Sequence, residues 1–325
     1  MRRFAHGFCN SISHSHRNNL YCSFCRNGEV GKALCLAHNW VHDFGRVCFY
    51  RIAVCHNEGA TMQSIETHSE IRLFCDLDHT LIYSHRVPIG LNKIAVEYLN
   101  GKEQSFMTQG TYDFLCKQNC VHLIPVTTRS KKQYERISVF HKELCCKYAL
   151  ICNGGILLVD GIEDPEWYSE TLSLISPESS ELQAIKELVQ QVLLTSVLHD
   201  VCGLFFYIKH NNPALFAEQL RKVAHPKNIC ILHDRHKVYC LPSMLNKGNA
   251  IERFAKKFGE AISIAAGDSE FDIPMLARAD TRIIPPVLEQ YLPTENTITI
   301  STSVFSDGIC NYLNTIAKRG THKHE

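Results

Sequence analysis

The sequence predicts an α/β protein in which helices flank a parallel sheet. From about Arg72 onward, short apolar runs typical of strands alternate with helical patterns. The chain has 325 residues, of which 45% are hydrophobic and 21% charged, enough for about two domains with a sizeable core. Polar residues follow two of the apolar runs, at Asp76 and Thr127, and open parallel sheets build their sites at such strand ends. We therefore expect a globular protein whose functional site lies at the carboxyl edge of its sheet.

The first part of the predicted core begins with a strand over Ile71–Cys75. Two further runs, Lys93–Leu99 and Lys102–Thr108, flank Asn100-Gly101, a dipeptide that favours the positive φ angles of a tight hairpin turn. We interpret this hairpin as a flap beside the site. The pattern continues with a helix near 112–118, a strand over 121–126, a helix over roughly 131–143 and a strand over 148–152.

The turn Asn153-Gly154-Gly155 opens a region with a different pattern. There we predict an α+β cap inserted into the core, with helices near 181–194 and 214–223 and strands near 204–209, 228–233 and 237–241. The core pattern returns with a helix over Lys247–Phe258 and a strand near 261–266. The predicted domains are a Cys/His-rich extension over 1–61, a core formed by 62–152 and 243–325, and a cap over 153–242.

The charge balance and the apolar pattern argue against nucleic-acid and membrane partners and against export of the protein. With 34 basic and 33 acidic residues the net charge is +1, which gives no reason to expect nucleic acid or an anionic membrane as a partner. No apolar stretch approaches the roughly 18 residues of a spanning helix, and the N-terminus lacks an apolar signal core. We therefore expect the 16 cysteines to be reduced and the protein to be cytoplasmic. The sequence does not indicate an oligomeric state.

The first 61 residues differ in composition from the rest of the chain. They contain six of the 16 cysteines, six of the 18 histidines, and seven basic against three acidic residues. Three interpretations stay open: a disordered or non-native extension with Met62 as the natural start, an organellar presequence, and a zinc module. In the zinc module, a Cys-x-x-Cys and a Cys-x-x-His pair would supply four ligands, namely Cys22, Cys25, Cys35 and His38.

Two pairs of carboxylates stand at positions where the fold brings side chains together. Asp76 and Asp78 follow the first core strand, so one can attack a substrate while the other manages protons. Asp268 and Asp272 are four residues apart at the predicted start of a helix, which places them on one face. Four carboxylates at one point repel each other unless a hard cation lies between them. Mg²⁺ fits this role, because it binds one or two carboxylates, waters and a substrate phosphate.

These residues resemble the four signatures of the haloacid dehalogenase-like phosphohydrolases, in the branch that contains the sucrose-phosphate phosphatases and the Cof-type sugar phosphatases. The resemblance covers roughly 72–319 and implies a Rossmann-like three-layer core with a parallel sheet. The cap lies between the second and third signatures, as in the members with the larger cap type. The signatures are Asp76-Leu77-Asp78-His79-Thr80, Thr127 after an apolar strand, Asn246-Lys247-Gly248-Asn249-Ala250, and Gly267-Asp268-Ser269-Glu270-Phe271-Asp272.

The resemblance implies a magnesium-dependent phosphatase that forms an aspartyl-phosphate. Asp76 would be the nucleophile, and Asp78 would protonate the leaving oxygen and later deprotonate the attacking water. Thr127 and Lys247 would bind the transferring phosphoryl oxygens. Arg129 fits equally a surface charge and a structural or substrate contact. The groups implied to hold Mg²⁺ are the Asp76 carboxylate, the Asp78 backbone carbonyl, Asp268, and Asp272 directly or through water.

Two positions depart from the usual signatures. Phe271 stands where this branch usually has Asn before the last Asp, and Thr128 replaces the Gly usual between Thr127 and Arg129. Both leave the substrate open, and we expect a small phosphorylated metabolite such as a sugar phosphate. The alternatives are a phosphomutase, a catalytically silent regulatory or binding protein, and a nucleic-acid-binding protein acting through the Cys/His-rich start. Candidate cap contacts to the substrate are His210, Asn211, His233, Arg235 and His236.

Overall fold

The computed structural model describes residues 11–15, 19–26, 29–36, 70–192 and 197–321. The chain divides into two units, Met1–Thr67 and His68–Glu325. In the first unit, β1 (Ser11–Ser15), β2 (Asn19–Arg26) and β3 (Glu29–Leu36) form an antiparallel sheet in the order β1-β2-β3. His38, the fourth residue of the candidate zinc set, and Met62 lie outside the described residues.

The second unit contains the predicted core from His68 onward and the whole range of the predicted cap. Its strands, in chain order, are β4 (Ile71–Cys75), β5 (Tyr83–Ser84), β6 (Lys93–Leu99), β7 (Lys102–Thr108), β8 (His122–Pro125), β9 (Tyr148–Ile151), β10 (Ile156–Val159), β11 (Ile162–Glu163), β12 (Leu198–Val201), β13 (Phe205–Lys209), β14 (Ile229–Asp234), β15 (Lys237–Pro242), β16 (Ile262–Ala266), β17 (Thr281–Ile284) and β18 (Thr297–Thr299). Its helices are α1 (Gln109–Lys117), α2 (Lys131–Tyr134), α3 (Ser138–Lys142), α4 (Pro165–Ile175), α5 (Ser179–Val192), α6 (Pro213–Ala224), α7 (Lys247–Phe258), α8 (Ile273–Leu276) and α9 (Phe305–Thr321).

A five-stranded parallel sheet in the order β18-β17-β16-β4-β8 forms the centre of the second unit. Three of its strands, β4, β16 and β17, carry buried apolar residues on both faces, because the interior of a parallel sheet is covered on both sides. Leu73 of β4 and Ile264 of β16 belong to one apolar cluster, whereas their neighbours Phe74 and Ala265 belong to the cluster on the opposite side. The predicted α/β class with a parallel sheet is confirmed.

A separate four-stranded antiparallel sheet, in the order β12-β13-β15-β14, lies within the predicted cap, and we call it the cap sheet. One face of this sheet packs against α5 and α6 through an apolar cluster that includes Phe206, Ile208 and Val238. The intervening residues of β13, Tyr207 and Lys209, point to the other face, because side chains alternate along a strand. The cap sheet is therefore covered by helices on one side only.

The predicted flap hairpin is confirmed with the same strand bounds, β6 and β7. Its turn residues Asn100 and Gly101 have φ angles of 52° and 73°, the left-handed values that an Asn-Gly turn supplies. The short strand β5 pairs with β7 on the other side, so that the hairpin forms a small sheet of its own. The flap is therefore an ordered part of the second unit.

The single helix predicted over 131–143 is wrong, since two short helices, α2 and α3, take its place. The break lies at Ile137, which has φ −93° and ψ 77° and pairs by a β-bridge with Glu97 of the flap. The neighbouring Arg136 forms an ion pair with Glu97. Tertiary contacts with the flap therefore override the local helical pattern.

The segment directly after Asn153 packs against the core. Trp167 of α4 is 1% exposed, donates a hydrogen bond to the Gly154 carbonyl and lies 3.9 Å beneath the Arg253 guanidinium of α7. Gly154 has a φ of +87°, and a Cβ there would lie 2.2 Å from that of Ala250, so the turn requires glycine. β10, β11 and α4 lie within the predicted cap over 153–242, yet β10 pairs with the core strand β9, β11 pairs with β10, and α4 contacts α7 through Trp167 and Arg253.

Within the described residues, no helix combines the length and the apolar character needed to cross a membrane. The ten cysteines described in the second unit are free thiols. Two of them, Cys152 beside the core strand β9 and Cys202 in a turn of the cap, have sulfur atoms 3.5 Å apart. The cap and the core therefore meet at this pair as well as through apolar side chains.

Candidate active site

Three strand ends meet at one edge of the parallel sheet and carry the predicted site residues there. Asp76 follows β4 and donates its backbone N–H to the Ala266 carbonyl at the end of β16, at 2.9 Å. Val126 follows β8 and donates to the Cys75 carbonyl at 2.8 Å. Because the strands are parallel neighbours, the residues after each of them lie side by side.

Three of the four predicted carboxylates form one cluster at this edge. Asp76, Asp268 and Asp272 each offer an oxygen atom, and these atoms lie within 4.8 Å of one another. Lys247 lies among them and is 1% exposed. Its Nζ donates to Asp76 Oδ1 at 2.5 Å and to Asp272 Oδ1 at 2.6 Å. The cluster therefore combines three acidic groups with one buried cation.

Asp272 holds the loop around the cluster in place. Its Oδ2 accepts hydrogen bonds from the backbone N–H groups of Asp268 and Ser269 at 3.1 and 3.0 Å, and from the Ser269 hydroxyl at 2.9 Å. A Cβ at Gly267 would lie 2.4 Å from the Asp272 Cβ, so this approach requires glycine. Both oxygens of Asp272 therefore accept hydrogen bonds, Oδ1 from Lys247 and Oδ2 from the loop.

A tight turn after β4 connects the first signature to Asp268. His79 has a φ of 67°, and the backbone N–H groups of Thr80, Leu81 and Ile82 all donate to the Leu77 carbonyl. This turn directs the Thr80 hydroxyl to Asp268 Oδ1, at 3.1 Å. The first and fourth signatures are thereby joined by a side-chain hydrogen bond.

Asp78 is paired with Arg129 rather than with the carboxylate cluster. The guanidinium donates from Nε to Oδ2 at 2.7 Å and from Nη2 to Oδ1 at 2.8 Å, a bidentate pair. Burial favours a higher pKa for Asp78, but Arg129 outweighs it and lowers the pKa below its ordinary value. The Arg129 side chain is only 12% exposed, so the structure favours the second interpretation, a structural or substrate contact, over a surface charge.

The sequence interpretation missed the second partner of Arg129. Glu97 of the flap has a side chain only 3% exposed and accepts hydrogen bonds from Arg129, Arg136 and Ser105. Burial alone would raise the pKa of Glu97, yet the hydrogen bonds from Arg129 and its neighbours lower it. A single acidic residue within the apolar run of β6 was the signal that could have identified it.

Thr127 lies just beyond β8 and is 1% exposed. Its hydroxyl accepts a hydrogen bond from the Arg129 backbone N–H at 3.2 Å, and its carbonyl accepts one from Asn153 at 2.8 Å. The residue therefore fixes the turn that carries Arg129 while it lies at the same sheet edge as Asp76.

Both departures from the usual signatures contact the same residue of the cap. The Phe271 ring meets the Tyr239 ring edge to face, with centroids 5.0 Å apart. Burial raises the pKa of the Tyr239 phenol, and a hydrogen bond with the Thr128 side chain opposes that shift. Tyr239 lies on β15, so Phe271 and Thr128 both connect the core to the cap.

The buried cluster disfavours several negative charges at once. Burial raises the pKa of Asp76 to about 7 against the opposing effect of Lys247, and the nearby Asp272 adds to the rise. Burial and the charge of Asp76 also raise the pKa of Asp268 well above its ordinary value. Lys247 has a raised pKa because Asp272 and Asp76 outweigh its burial. Hard carboxylate oxygens that repel one another in a buried site fit Mg²⁺, which prefers oxygen ligands.

We predict that Mg²⁺ stabilises the protein more at pH 8 than at pH 5. The folded pKa of Asp76 lies above its unfolded value, so its contribution to stability is complete below the unfolded pKa and is lost as the pH rises through about 7. A bound cation offsets this loss and should raise Tm by several degrees at saturation. Thermal denaturation at both pH values, with and without Mg²⁺, measures the effect.

Asp268→Asn tests the same prediction at a second carboxylate. Removing one of the clustered charges should raise Tm without Mg²⁺ and abolish most of the increase that Mg²⁺ causes. An Mg²⁺-dependent increase that persists in this variant would contradict the assignment of the cation to the cluster.

A large cavity of about 1290 Å³ opens beside Asp78, between the flap, the core and the cap, and none of the three clustered carboxylates nor Lys247 lines it. Asp78 and Arg129 contribute to its wall from the core, and Glu97 from the flap. Four of the five candidate cap contacts also line it, and His233 does not. The four are His210, Asn211, Arg235 and His236.

Comparisons with known proteins support the fold. No family model matches the sequence, and no curated protein does. The structure of the sucrose-phosphatase from Synechocystis sp. PCC6803, in complex with sucrose and phosphate, matches with a TM-score of 0.51 and 14% identity, over 77% of this chain and 99% of that one. The chain has the fold of this sucrose-phosphatase.

Two further solved structures match with lower scores. A phosphatase of the haloalkanoate enzyme superfamily from Bacteroides thetaiotaomicron matches with a TM-score of 0.47 and 12% identity, over 80% of this chain and 99% of that one. The trehalose-6-phosphate phosphatase of Aspergillus fumigatus matches with a TM-score of 0.43 and 13% identity, over 76% of this chain and 93% of that one.

Proposed function

We propose that the protein is a Mg²⁺-dependent phosphatase of a small phosphorylated metabolite, such as a sugar phosphate, and that it acts in the cytoplasm. One observation carries the proposal: Asp76, Asp268 and Asp272 converge with the buried Lys247 at the carboxyl edge of the sheet. A cluster of acidic groups beside one lysine is suited to bind Mg²⁺. Mg²⁺ and the lysine would then together neutralise the negative charge of a phosphoryl group.

The residues that would hold Mg²⁺ are Asp76, Asp268 and the backbone carbonyl of Asp78, with Asp272 acting directly or through water. When bound, the cation would neutralise charge on the phosphoryl oxygens and on the crowded carboxylates. Lys247 Nζ already contacts Asp76, so it would reach a phosphoryl oxygen beside the attacking carboxylate. The Thr127 hydroxyl lies at the same sheet edge and would donate a hydrogen bond to another oxygen.

In the first step, an Asp76 carboxylate oxygen attacks phosphorus and the bond from phosphorus to the leaving oxygen breaks, which gives an aspartyl-phosphate. The leaving oxygen takes a proton from Asp78. Water then attacks the phosphorus of this intermediate, Asp78 accepts its proton, and phosphate and free Asp76 are formed. Division into two displacements replaces one difficult step by two easier ones.

Asp78 must change its protonation state between these steps. Its bidentate pair with Arg129 favours the carboxylate, which suits the second step. A phosphate dianion bound beside Arg129 would compete for the guanidinium and raise the pKa of Asp78, which suits proton donation in the first step. The same guanidinium contacts Glu97 of the flap, so Arg129 would link the flap to the acid.

We predict that Arg129→Met lowers kcat by about 10- to 100-fold and shifts every limb of the pH–rate profile that reports Asp78 to higher pH. The shift has this sign because Arg129 holds the pKa of Asp78 below its ordinary value. Arg129→Lys keeps the charge without the bidentate geometry and should shift the profile less. Unchanged profiles in both variants would contradict the role of Arg129 at Asp78.

The proposed function is tested by phosphate release from p-nitrophenyl phosphate and from a set of sugar phosphates, with Mg²⁺ and with EDTA. We expect turnover with Mg²⁺ and its loss with EDTA. Isomerised sugar phosphate without phosphate release would indicate a phosphomutase instead. No turnover of any phosphomonoester in the presence of Mg²⁺ would contradict the phosphatase and indicate a silent binding protein.

A further inference from the structure

Two lysines stand directly opposite each other on the face of the cap sheet that helices do not cover. In the pairing of β13 with β15, Lys209 is opposite Lys237 and Tyr207 is opposite Tyr239. Residues directly opposite in an antiparallel pair project to the same face. All four residues line the cavity beside Asp78. This face of the cap therefore presents two cations and two aromatic rings to the cavity.

Like charges at directly opposite positions destabilise a pair of strands. Among the residues that the structure describes, no ion pair involving Lys209 or Lys237 is found. Lys237 lies 4.8 Å from the centre of the Tyr207 ring and 5.7 Å from that of Tyr239, which holds it over the aromatic surface. Burial lowers the pKa of Lys237 and Lys209 adds to that shift, whereas Asp78 and Asp234, which is opposite Lys237 on β14, oppose it. The repulsion between the two ammonium groups is therefore only partly compensated.

The carboxylates of the cavity are already paired with arginines. The lining contains six lysines or arginines and three carboxylates. Asp78 and Glu97 are paired with Arg129, and Asp234 lies 3.8 Å from Arg235. Glu97 also forms an ion pair with Arg136. Arg86, Lys209 and Lys237 form no ion pair with any residue in the described part of the chain, so the cavity has a positive excess.

The lysines lie on the side of the site where the leaving group would be. Lys237 is close enough to Asp78 for each to affect the pKa of the other. Under the proposed function, Asp78 contacts the leaving oxygen, whereas Lys247 and Thr127 contact the phosphoryl group. Groups carried beyond the leaving oxygen would therefore face β13 and β15 of the cap.

On the basis of the proposed phosphatase activity, we propose that Lys209 and Lys237 bind a second anionic group, a carboxylate or a phosphate, carried by the leaving group of the substrate. Such a group placed between the two ammonium groups would remove their repulsion and form charge-assisted hydrogen bonds with both. The aromatic rings of Tyr207 and Tyr239 would pack against the carbon skeleton that carries it. The substrate class is therefore a phosphomonoester with a second negative group.

Three compounds with the same six-carbon skeleton test this subsite. Glucose 6-phosphate has a neutral leaving group, 6-phosphogluconate adds a carboxylate, and glucose 1,6-bisphosphate adds a phosphate. We expect kcat/KM for at least one of the two anionic compounds to exceed that for glucose 6-phosphate by about 10-fold or more. The compound with the larger ratio identifies which anion the subsite prefers.

The double variant Lys209→Met/Lys237→Met should lower the ratio of kcat/KM for the preferred anionic compound to kcat/KM for glucose 6-phosphate. We expect a decrease of about 10- to 100-fold, because both charge-assisted contacts are lost. Lys222→Met is the matched control, since Lys222 lies on α6, outside the lining of the cavity, with its side chain 71% exposed. The ratio should be the same in the control as in the unmodified protein. A ratio that is equally high in the double variant would overturn the subsite.

Binding measurements separate this inference from the proposed activity. In an Asp76→Asn protein, calorimetry with the same three compounds should show tighter binding of an anionic compound, lost when Lys209 and Lys237 are replaced. Equal dissociation constants for all three compounds would overturn the subsite even if the protein is a phosphatase. Selective binding without turnover of any phosphomonoester by the unmodified protein would overturn the phosphatase and support the subsite.

Discussion

Asp76→Asn should reduce phosphate release by about 10⁴- to 10⁶-fold, the range seen when a nucleophile is removed from a covalent catalyst. The amide has nearly the same volume as the carboxylate but cannot attack phosphorus. It also removes one negative charge from a buried cluster in which burial raises the pKa of Asp76 to about 7. The variant should therefore fold, with a Tm without Mg²⁺ no lower than that of the unmodified protein.

Asp160→Asn provides the matched control for this substitution. Asp160 is exposed in the turn between β10 and β11 and has a φ of 50°, a conformation that asparagine adopts readily. Its activity and Tm should equal those of the unmodified protein. Single-turnover rates with p-nitrophenyl phosphate are compared for Asp76→Asn, Asp160→Asn and the unmodified protein. Substantial activity in Asp76→Asn would refute the role of Asp76 as nucleophile.

Lys247→Met should affect both stability and catalysis. Removal of the ammonium leaves Asp76 and Asp272 buried without their cation, and breaking a buried ion pair in this way costs about 3–5 kcal/mol. Loss of a charge that stabilises the phosphoryl group should lower kcat/KM by about 10²- to 10³-fold. Denaturant unfolding and steady-state kinetics, both with Mg²⁺, measure the two effects.

A second substitution separates these two consequences. In Lys247→Met/Asp272→Asn, one of the uncompensated carboxylates is neutral, so part of the lost stability should return. The phosphoryl contact stays absent, so kcat/KM should stay low. Recovery of activity together with stability would show that Lys247 acts only by supporting the fold.

The strand-end carboxylates could be predicted from sequence because the signal is local. Asp76 and Asp268 each follow a short apolar run, and parallel strands carry the residues after them to one edge. The hairpin β6–β7 was equally accessible, since Asn100 and Gly101 determine its turn. These predictions needed no knowledge of which distant residues make contact.

The remaining features depend on contacts between distant parts of the chain. Arg129 meets Glu97 across 32 positions, and the bridge of Ile137 to the flap interrupts a segment whose own pattern is helical. The paired lysines of the cap become visible only when the register of β13 and β15 is known. Local propensity carries no information about such pairings, so the sequence alone left these features undetermined.

The contacts of Tyr239 bear on how this protein can be recombined with its structural relatives. Its ring packs against Phe271 of the fourth signature and bonds to Thr128 of the second, although it belongs to the cap. A chimaera that exchanges caps alone would leave Phe271 and Thr128 without their matching surface. A construction that exchanges the cap should therefore also exchange positions 128 and 271 of the core, so that all three residues come from the same protein.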